Sequence, residues 1–168
     1  KAFKLPGGAM SRKDIDEITA LAVEQGAKGL AYIIYEETGP KSPILKFMSP
    51  EELQTIEEKL SPKVGDMIFF GADKREVVNK VLGTVRVALR NRYNLVDEST
   101  LSFAWITDFP MFEKDEKTGK LDFAHNPFSS INATIEDLRN MNPEEVYGFQ
   151  YDLTLNGYEI LSGSIRNH

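Results

Sequence analysis

The sequence contains no cysteine and only two histidines, His125 and His168. Without thiols, neither a disulfide framework nor a thiolate metal site can form. Two histidines also argue against a zinc site built from protein ligands alone. The absence of cysteine fits a reducing compartment, and we predict a cytoplasmic protein.

Long apolar runs and an excess of positive charge are also missing. No run approaches the roughly 18 apolar residues that a membrane span needs, and residues 1–10 lack the apolar core of a secretion signal. The 26 acidic residues outnumber the 20 basic ones, and the formal charge is -6. This balance argues against a nucleic-acid binder that relies on a general positive field, although it leaves a local basic patch open. We predict no membrane partner.

The length of 168 residues suits one core, or a domain of about 100 residues with an incomplete partner. The chain starts at Lys1 without an initiator methionine and stops at His168, directly behind a strand-like run. We expect both ends to be cuts in a longer polypeptide.

Helix and strand patterns alternate over the first 95 or so residues. Capping residues, a proline at a first helical position and amphipathic spacing predict helices over 11–25, 50–60 and 73–91. Short apolar and β-branched runs predict strands over 29–35 and 44–47, and a turn with a strand over 64–70. The Pro6-Gly-Gly8 segment favours a plain turn over a phosphate-binding loop, because no strand clearly precedes it. Together these elements predict a compact α+β domain.

The pattern changes at Leu101. An aromatic-rich run predicts a strand over 101–112, followed by a turn over 114–120 and a returning strand over 121–124. We expect Trp105 and the nearby phenylalanines to belong to a core. A short helix near 134–140 leads to two strands over 147–155 and 158–166, which Asn156-Gly157 joins as a hairpin.

Three polar residues of this second part suit a site for a small zwitterion and a nucleotide. Arg166 can form a two-pronged pair with a carboxylate, which lysine cannot reproduce. Glu159 can hold a magnesium ion that bridges phosphates, or accept a hydrogen bond from an ammonium or hydroxyl group. His125 can donate a hydrogen bond to a carboxylate.

The alternative is that all three residues are solvent-facing members of an antiparallel sheet. Glu159 and Arg166 are seven positions apart, so on a regular strand they point to opposite faces. They can share one site only if a β-bulge intervenes, and we place that bulge at Ser162-Gly163.

The first part of the sequence resembles the GAD domain of bacterial-type aspartyl-tRNA synthetases, and the second part resembles the catalytic core that follows it. The GAD resemblance is carried by Pro6-Gly-Gly-Ala-Met-Ser-Arg-Lys-Asp14, Gly26-Ala-Lys-Gly-Leu-Ala-Tyr32, Lys41-Ser-Pro43 and Phe70-Gly-Ala-Asp-Lys74. The core resemblance is carried by Trp105-Ile-Thr-Asp-Phe-Pro-Met-Phe-Glu113, His125-Asn-Pro-Phe128 and Tyr151-Asp-Leu-Thr-Leu-Asn-Gly-Tyr-Glu159.

This resemblance implies an α+β chain in two parts. Residues 1–98 would form a GAD-type insertion domain, with packed helices and a mixed or antiparallel sheet. Residues 99–168 would form part of the antiparallel catalytic sheet of a class II synthetase. The implied enzyme, an aspartate–tRNA ligase, activates L-aspartate with ATP and transfers it to tRNA(Asp), as a cytoplasmic homodimer. Its Mg²⁺ accompanies ATP, and no cofactor is expected for the 168-residue chain alone.

The same resemblance assigns roles to matching positions. His125 and Arg166 would contact aspartate, and Glu159 would contact ATP through magnesium. Ser162, Gly163 and Ser164 would shape the site. No residue is assigned as a general acid or base. An arginine that reads the side-chain carboxylate also supplies specificity, because asparagine would leave its charge unpaired.

The sequence departs from the family at two places. It has His125-Asn126 where the family usually has two adjacent histidines, and Leu161-Ser-Gly163 where three glycines are common. The anticodon-binding barrel and the other class II motifs are missing, so we expect the 168-residue chain to be inactive by itself.

Two other readings compete. A GAD domain also resembles a tRNA-binding module of an amidotransferase that converts Glu-tRNA to Gln-tRNA, but that reading does not explain the residues after Leu101. The other is a purely structural α+β domain that contacts a partner.

Overall fold

The computed structural model describes residues 1–8, 10–115 and 117–168. Ala9, within the first GAD-like motif, and Glu116, within the predicted 114–120 turn, lie outside the described residues. The chain divides into two compact units, Lys1–Val96 and Asp97–His168. Within the described ranges, no helix is long and apolar enough to cross a membrane. Helices and antiparallel sheets are both present, so the predicted α+β class is confirmed.

The first unit is built on a four-stranded antiparallel sheet in the order β1-β4-β2-β3. Its strands are β1 (Ala2–Leu5), β2 (Ala31–Glu36), β3 (Gly39–Lys41) and β4 (Met67–Phe70). The central strand β4 pairs with β1 on one side and β2 on the other. Strand β4 is therefore an interior strand that joins β1 to the rest of the sheet.

Three helices cover the sheet, and capping residues define two of their starts. They are α1 (Arg12–Glu24), α2 (Pro50–Leu60) and α3 (Arg75–Arg92). Ser11 and Asp14 form a reciprocal capping box on α1, and Ser49 and Glu52 form one on α2. Each box satisfies amide groups that a helix start leaves without intrahelical partners. All three predicted helices are confirmed, with the bounds of α2 as predicted.

Apolar side chains pack on both faces of the sheet. Met67 and Phe69 belong to a cluster with α1 and α3, whereas Ile68 between them belongs to a second cluster with α2. Because successive side chains of a strand point to opposite faces, β4 needs an uninterrupted apolar run. The unit therefore has three layers, with the sheet in the middle.

The segment over 44–47 is not the strand that we predicted. Leu45–Phe47 form a single turn of 3-10 helix, and the strand that pairs with β2 is Gly39–Lys41. Ile44, Leu45 and Met48 pack on the second cluster. Their spacing is helical, and in a four-residue apolar run the spacing cannot distinguish a helix from a strand.

A strand does precede the Pro6-Gly-Gly8 segment, contrary to our expectation. It is β1, which pairs with Phe70 and its preceding residues. Gly7 has a φ of 58° and donates its amide to Asp66 Oδ1 at 2.9 Å. This amide has a partner within the chain, so the interpretation of the segment as a plain turn is confirmed.

Asp66 ties three segments together at the start of β4. Its side chain is buried and accepts hydrogen bonds from the amides of Gly7 and Lys63, both at 2.9 Å. Lys4 Nζ lies 3.7 Å from the same carboxylate. Burial opposes ionisation, but the Lys63 and Gly7 amides and the Lys4 charge outweigh it, and the pKa of Asp66 is lowered below its ordinary value.

Replacing Asp66 by alanine should destabilise the first unit by about 2–3 kcal/mol, because two amide donors lose a charged acceptor. Urea denaturation followed by circular dichroism would measure the loss. Asp16→Ala is the matched control: Asp16 forms an exposed pair with Arg12, and its loss should cost less than about 0.5 kcal/mol. Equal effects of the two substitutions would contradict the role of Asp66.

The contribution of Asp66 should also depend on pH in a defined direction. A carboxyl with a lowered folded-state pKa stabilises the fold above its unfolded-state pKa. The difference between wild type and Asp66→Ala should therefore be complete well above the ordinary value of 3.8 and shrink as pH falls through the lowered pKa. A difference that grows on acidification would refute the assignment.

The second unit contains a three-stranded antiparallel sheet in the order β11-β10-β5. Its strands are β5 (Phe103–Ile106), β10 (Gln150–Leu155) and β11 (Tyr158–Ser164). Two short ladders join β6 (Phe109–Pro110) to β9 (Tyr147–Gly148), and β7 (Phe112–Lys114) to β8 (Leu121–Phe123). Thr134 caps the single-turn helix α4 (Ile135–Leu138), and Pro143–Glu145 form a 3-10 turn.

Two expectations about the aromatic run fail. Residues 101–112 are not one strand, because Asp108 adopts a φ of 59° and the chain changes partners there. Trp105 is 60% exposed, so it does not belong to a core, while Phe109 and Phe112 are half-buried. Trp105 lies on the sheet face that it shares with Leu153, its partner across the ladder. The buried apolar residues of the unit are instead Met111 and Val146.

Candidate functional site

The second unit contains a cavity of about 500 Å³ along one face of β10 and β11. All six residues that the sequence suggested for a site line it: His125, Glu159, Ser162, Gly163, Ser164 and Arg166. Five residues that the sequence analysis did not assign to the site line it as well: Phe109, Asn126, Phe128, Gln150 and Asp152. Residues that are up to 57 positions apart in the sequence, Phe109 and Arg166, thus border one space.

A β-bulge brings Glu159 to the same face as the rest of the site. Leu161 pairs with Leu153, but Glu159 pairs with Thr154, so Ile160 is an additional residue in β11. A bulge of this kind reverses the alternation of side chains beyond it. Glu159 therefore shares a face with Ser162 and Ser164, which a regular strand would forbid.

The predicted bulge exists, but its predicted position was wrong. Ser162 and Gly163 belong to the regular ladder, opposite Asp152 and Tyr151. Gly163 has a different reason to be glycine, because a Cβ there would lie 2.6 Å from the Tyr151 ring.

The loop over 125–129 closes the cavity beside Arg166. Ser129 forms an isolated β-bridge with Arg166, and the Asn167 amide donates to the Phe128 carbonyl at 2.8 Å. The Arg166 guanidinium carbon lies 4.3 Å from the centre of the Phe128 ring. This cation–π contact orients the guanidinium without neutralising its charge.

His125 is positioned by an aromatic contact. Its ring meets Phe109 edge to face, with centroids 5.1 Å apart and an interplanar angle of 86°. Phe109 is itself paired with Gly148 across the β6–β9 ladder. His125 therefore lies near the beginning of β10, where Gln150 is the first residue.

Gln150 and Asp152 are two further polar residues that line the cavity. Gln150 pairs with Ser164 and Asp152 pairs with Ser162, and all four residues line the cavity. The sequence held a usable signal for Asp152: once the Asn156-Gly157 turn fixes the hairpin, alternate residues of β10 share a face. The position of Gln150 depends on the same rule.

The site has two electrostatically different ends. Arg166 and His125 lie toward the start of β10, whereas Glu159 is opposite Thr154, four residues further along that strand. At about 3.3 Å per residue, the two ends of the cavity are roughly 13 Å apart along β10. Within residues 1–8, 10–115 and 117–168, no ion pair involves Arg166, His125 or Glu159. One end can thus bind an anion, and the other can bind a cation.

The sequence of the chain is similar to those of known proteins. Residues 1–82 match the GAD domain family, so this is a GAD-containing protein. Over its whole length, the chain is 46% identical to the aspartate–tRNA(Asp/Asn) ligase of Prosthecochloris aestuarii. It is 45% identical to the aspartate–tRNA ligase of Streptomyces avermitilis, and 44% identical, over 94% of the chain, to that of Streptomyces coelicolor.

The chain therefore contains a GAD domain and, over its whole length, is similar to bacterial aspartate–tRNA ligases. It spans about 28% of the length of the curated relatives that it matches.

The contact between Arg166 and Phe128 can be tested directly. Replacing Phe128 by leucine should remove the aromatic ring current from Arg166, and its Nε–H proton signal should move downfield in a ¹H–¹⁵N spectrum. The stabilisation that is lost should be about 0.5–1 kcal/mol, as is usual for exposed cation–π pairs.

Phe47→Leu is the matched control. Its ring contacts Lys46 Nζ at 4.9 Å in the first unit, so this substitution should change the Lys46 signals and leave Arg166 unaltered. An Arg166 signal that is insensitive to Phe128→Leu would contradict the geometry described above.

Proposed function

We propose that this chain is the aspartate-activating part of an aspartate–tRNA ligase. Such an enzyme converts L-aspartate and ATP to an aspartyl adenylate with release of pyrophosphate, and then transfers the aspartyl group to tRNA(Asp) with release of AMP. The observation that carries the proposal is the convergence of His125, Glu159 and Arg166 on one cavity. The resemblance of the sequence to the synthetase family implies a role for each of these residues, and the chemistry of each suits that role. The full-length protein, not the 168-residue chain, is the proposed enzyme, with a cytoplasmic location and a homodimeric state.

The cationic end of the cavity suits the amino-acid substrate. Arg166 can donate two parallel hydrogen bonds to the side-chain carboxylate of aspartate. His125 can donate a third hydrogen bond to the same substrate. Asparagine offers a single acceptor oxygen in the same place, so it would leave a guanidinium donor unpaired, and such sites discriminate strongly.

The acidic end suits ATP. Glu159 and Asp152 lie on the same face of the hairpin and border the same cavity. Mg²⁺ in nucleotide sites is usually held by one or two carboxylates together with phosphate oxygens and water, so this pair of side chains fits it. Glu159 and Asp152 would hold the ion, and the ion would neutralise phosphate charge when bound. Ser162, Gly163 and Ser164 would form the wall between the two substrates.

The remaining structure follows from the same proposal. We infer that β5, β10 and β11 are strands of a class II catalytic sheet, and that residues 99–168 form part of that catalytic domain behind the GAD domain at 1–98. The similarity to aspartate–tRNA ligases continues to the end of the chain. This supports the synthetase over an amidotransferase-type tRNA-binding module, for which only the GAD domain would be needed.

The activity should be tested by aspartate-dependent exchange of pyrophosphate into ATP. The full-length protein should exchange pyrophosphate, whereas the 168-residue chain should not. Charging of tRNA(Asp) and tRNA(Asn) should be compared in parallel, because the Prosthecochloris aestuarii relative is an aspartate–tRNA(Asp/Asn) ligase and the Streptomyces avermitilis relative is an aspartate–tRNA ligase. A full-length protein that exchanges pyrophosphate with another amino acid, or with none, would overturn the proposal.

Arg166→Lys in the full-length protein should raise the KM for aspartate by about 10- to 100-fold, since the charge remains but the two-pronged geometry is lost. The KM for ATP should change little. Arg12→Lys is the control: Arg12 is 84% exposed at the side chain, on α1, and its replacement should leave both values unaltered. Wild-type aspartate kinetics in Arg166→Lys would show that another group reads the carboxylate.

A further inference from the structure

The wall of the cavity contains a buried glutamine for which the family resemblance assigns no role. Gln150 is 8% exposed, and it is one of three buried polar or charged residues of the described chain, together with Asp66 and Ser129. The Asp66 carboxylate already accepts hydrogen bonds from two backbone amides of the first unit. Gln150 borders the cavity instead.

The carboxamide of Gln150 has an unmet hydrogen-bonding capacity. In the described ranges, no group accepts a hydrogen bond from Gln150 Nε2, and the buried Ser129 hydroxyl also lacks a partner. Buried polar groups nearly always have partners, because burying an unpaired donor is costly. Ser129 forms a backbone bridge to Arg166 but does not line the cavity, so of these two residues Gln150 is the one that borders it.

The backbone is shaped to hold this carboxamide. A Cβ at Gly148 would lie 2.9 Å from Gln150 Nε2 and 3.5 Å from Met111 Sδ. Any larger residue at 148 would therefore displace the glutamine side chain. The glycine creates a recess in which the amide lies beside the cavity.

Gln150 lies next to the residue that we expect to read the substrate carboxylate. It pairs with Ser164, the last residue of β11 and two positions before Arg166, and all three residues line the cavity. His125 lies at the same end of the cavity. Its ring contacts Phe109, and Phe109 pairs with Gly148, two residues before Gln150. The terminal torsion of a glutamine is broad, so rotation about it can turn the N–H group toward a ligand.

We propose that Gln150 is a specificity-determining residue that donates a hydrogen bond from its carboxamide to the ligand carboxylate bound by Arg166. This inference rests on the proposed function of the site. A carboxylate has two oxygens and about four acceptor positions, enough for the arginine fork and the amide together. A carboxamide ligand has a single acceptor oxygen, so it cannot pair with the arginine fork and the glutamine amide together.

Gln150→Met in the full-length protein tests the proposal, because methionine keeps the length and removes the donor. The KM for aspartate in pyrophosphate exchange should rise about 5- to 10-fold, the effect of one lost hydrogen bond. The KM for ATP and kcat should stay within about twofold of wild type. The matched control is Gln54→Met, because Gln54 lies on α2 in the first unit and its exposed side chain donates to Glu58. The kinetics of this variant should equal those of wild type.

The pH dependence of the KM for aspartate in a Gln150→Glu variant distinguishes a role in substrate binding from a purely structural role. A protonated carboxyl can donate to the substrate, whereas an ionised one repels it, and burial beside a second carboxylate raises a carboxyl pKa. The KM for aspartate in this variant should therefore fall as pH decreases, relative to wild type at the same pH. Because the shape of the side chain is retained, this variant also serves if Gln150→Met does not fold.

The outcomes separate the two proposals. If the wild-type protein shows no aspartate-dependent exchange, the proposed function is wrong. If wild type is active but Gln150→Met has an unchanged KM for aspartate, only the role of Gln150 is overturned. Equal increases in the KM values for aspartate and ATP, or a pH-independent Gln150→Glu variant, would likewise assign Gln150 a structural role.

Discussion

The candidate site depends on one additional residue in a strand. Ile160 has no counterpart on β10, so the side chains of β11 change their alternation at that point. On a regular strand, Glu159 would point away from Ser162, Ser164 and Arg166. With the bulge, the acidic and basic groups share one cavity. A local irregularity in the backbone thus determines which charges can act on the same ligand.

The hairpin presents two chemically different faces. On the cavity face, β10 and β11 carry the polar residues Gln150, Asp152, Ser162 and Ser164. On the opposite face, Trp105 packs edge-on against Tyr151, with ring centroids 5.8 Å apart. The strict alternation of a strand makes this separation possible, because each residue belongs to only one face. The polar residues of the cavity and the aromatic residues of the opposite face therefore occupy alternate positions on the same strands.

The two units obtain their stability differently. The first has apolar clusters on both faces of its sheet and a buried carboxylate, Asp66, that joins β1, the loop after α2 and β4. The second buries few apolar side chains in its described residues, chiefly Met111 and Val146. Its geometry depends more on backbone pairing, including the bridges that hold Ser129 to Arg166 and Ile131 to Gly148.

Local signals were sufficient for much of the structure. The serine-led capping boxes and the amphipathic spacing determined α1 and α2, because a helix is specified by residues within a few positions of one another. The Asn156-Gly157 turn determined the β10–β11 hairpin; both residues have positive φ, 51° and 87°, as this turn requires. His125, Glu159 and Arg166 were identified by side-chain chemistry and by their similarity to a family.

Long-range pairing decided the rest. No local pattern indicated that β1 would pair with β4, that Asp108 would divide the aromatic run, or that the bulge would lie at Ile160 instead of Ser162-Gly163. The burial of Gln150 beside Arg166 also arises from the register between strands and from the space that Gly148 leaves. The sequence by itself determined the helices, the hairpin turn and the chemical character of the site. Only the tertiary structure decided which residues face the same cavity, because strand register depends on residues far apart in the chain.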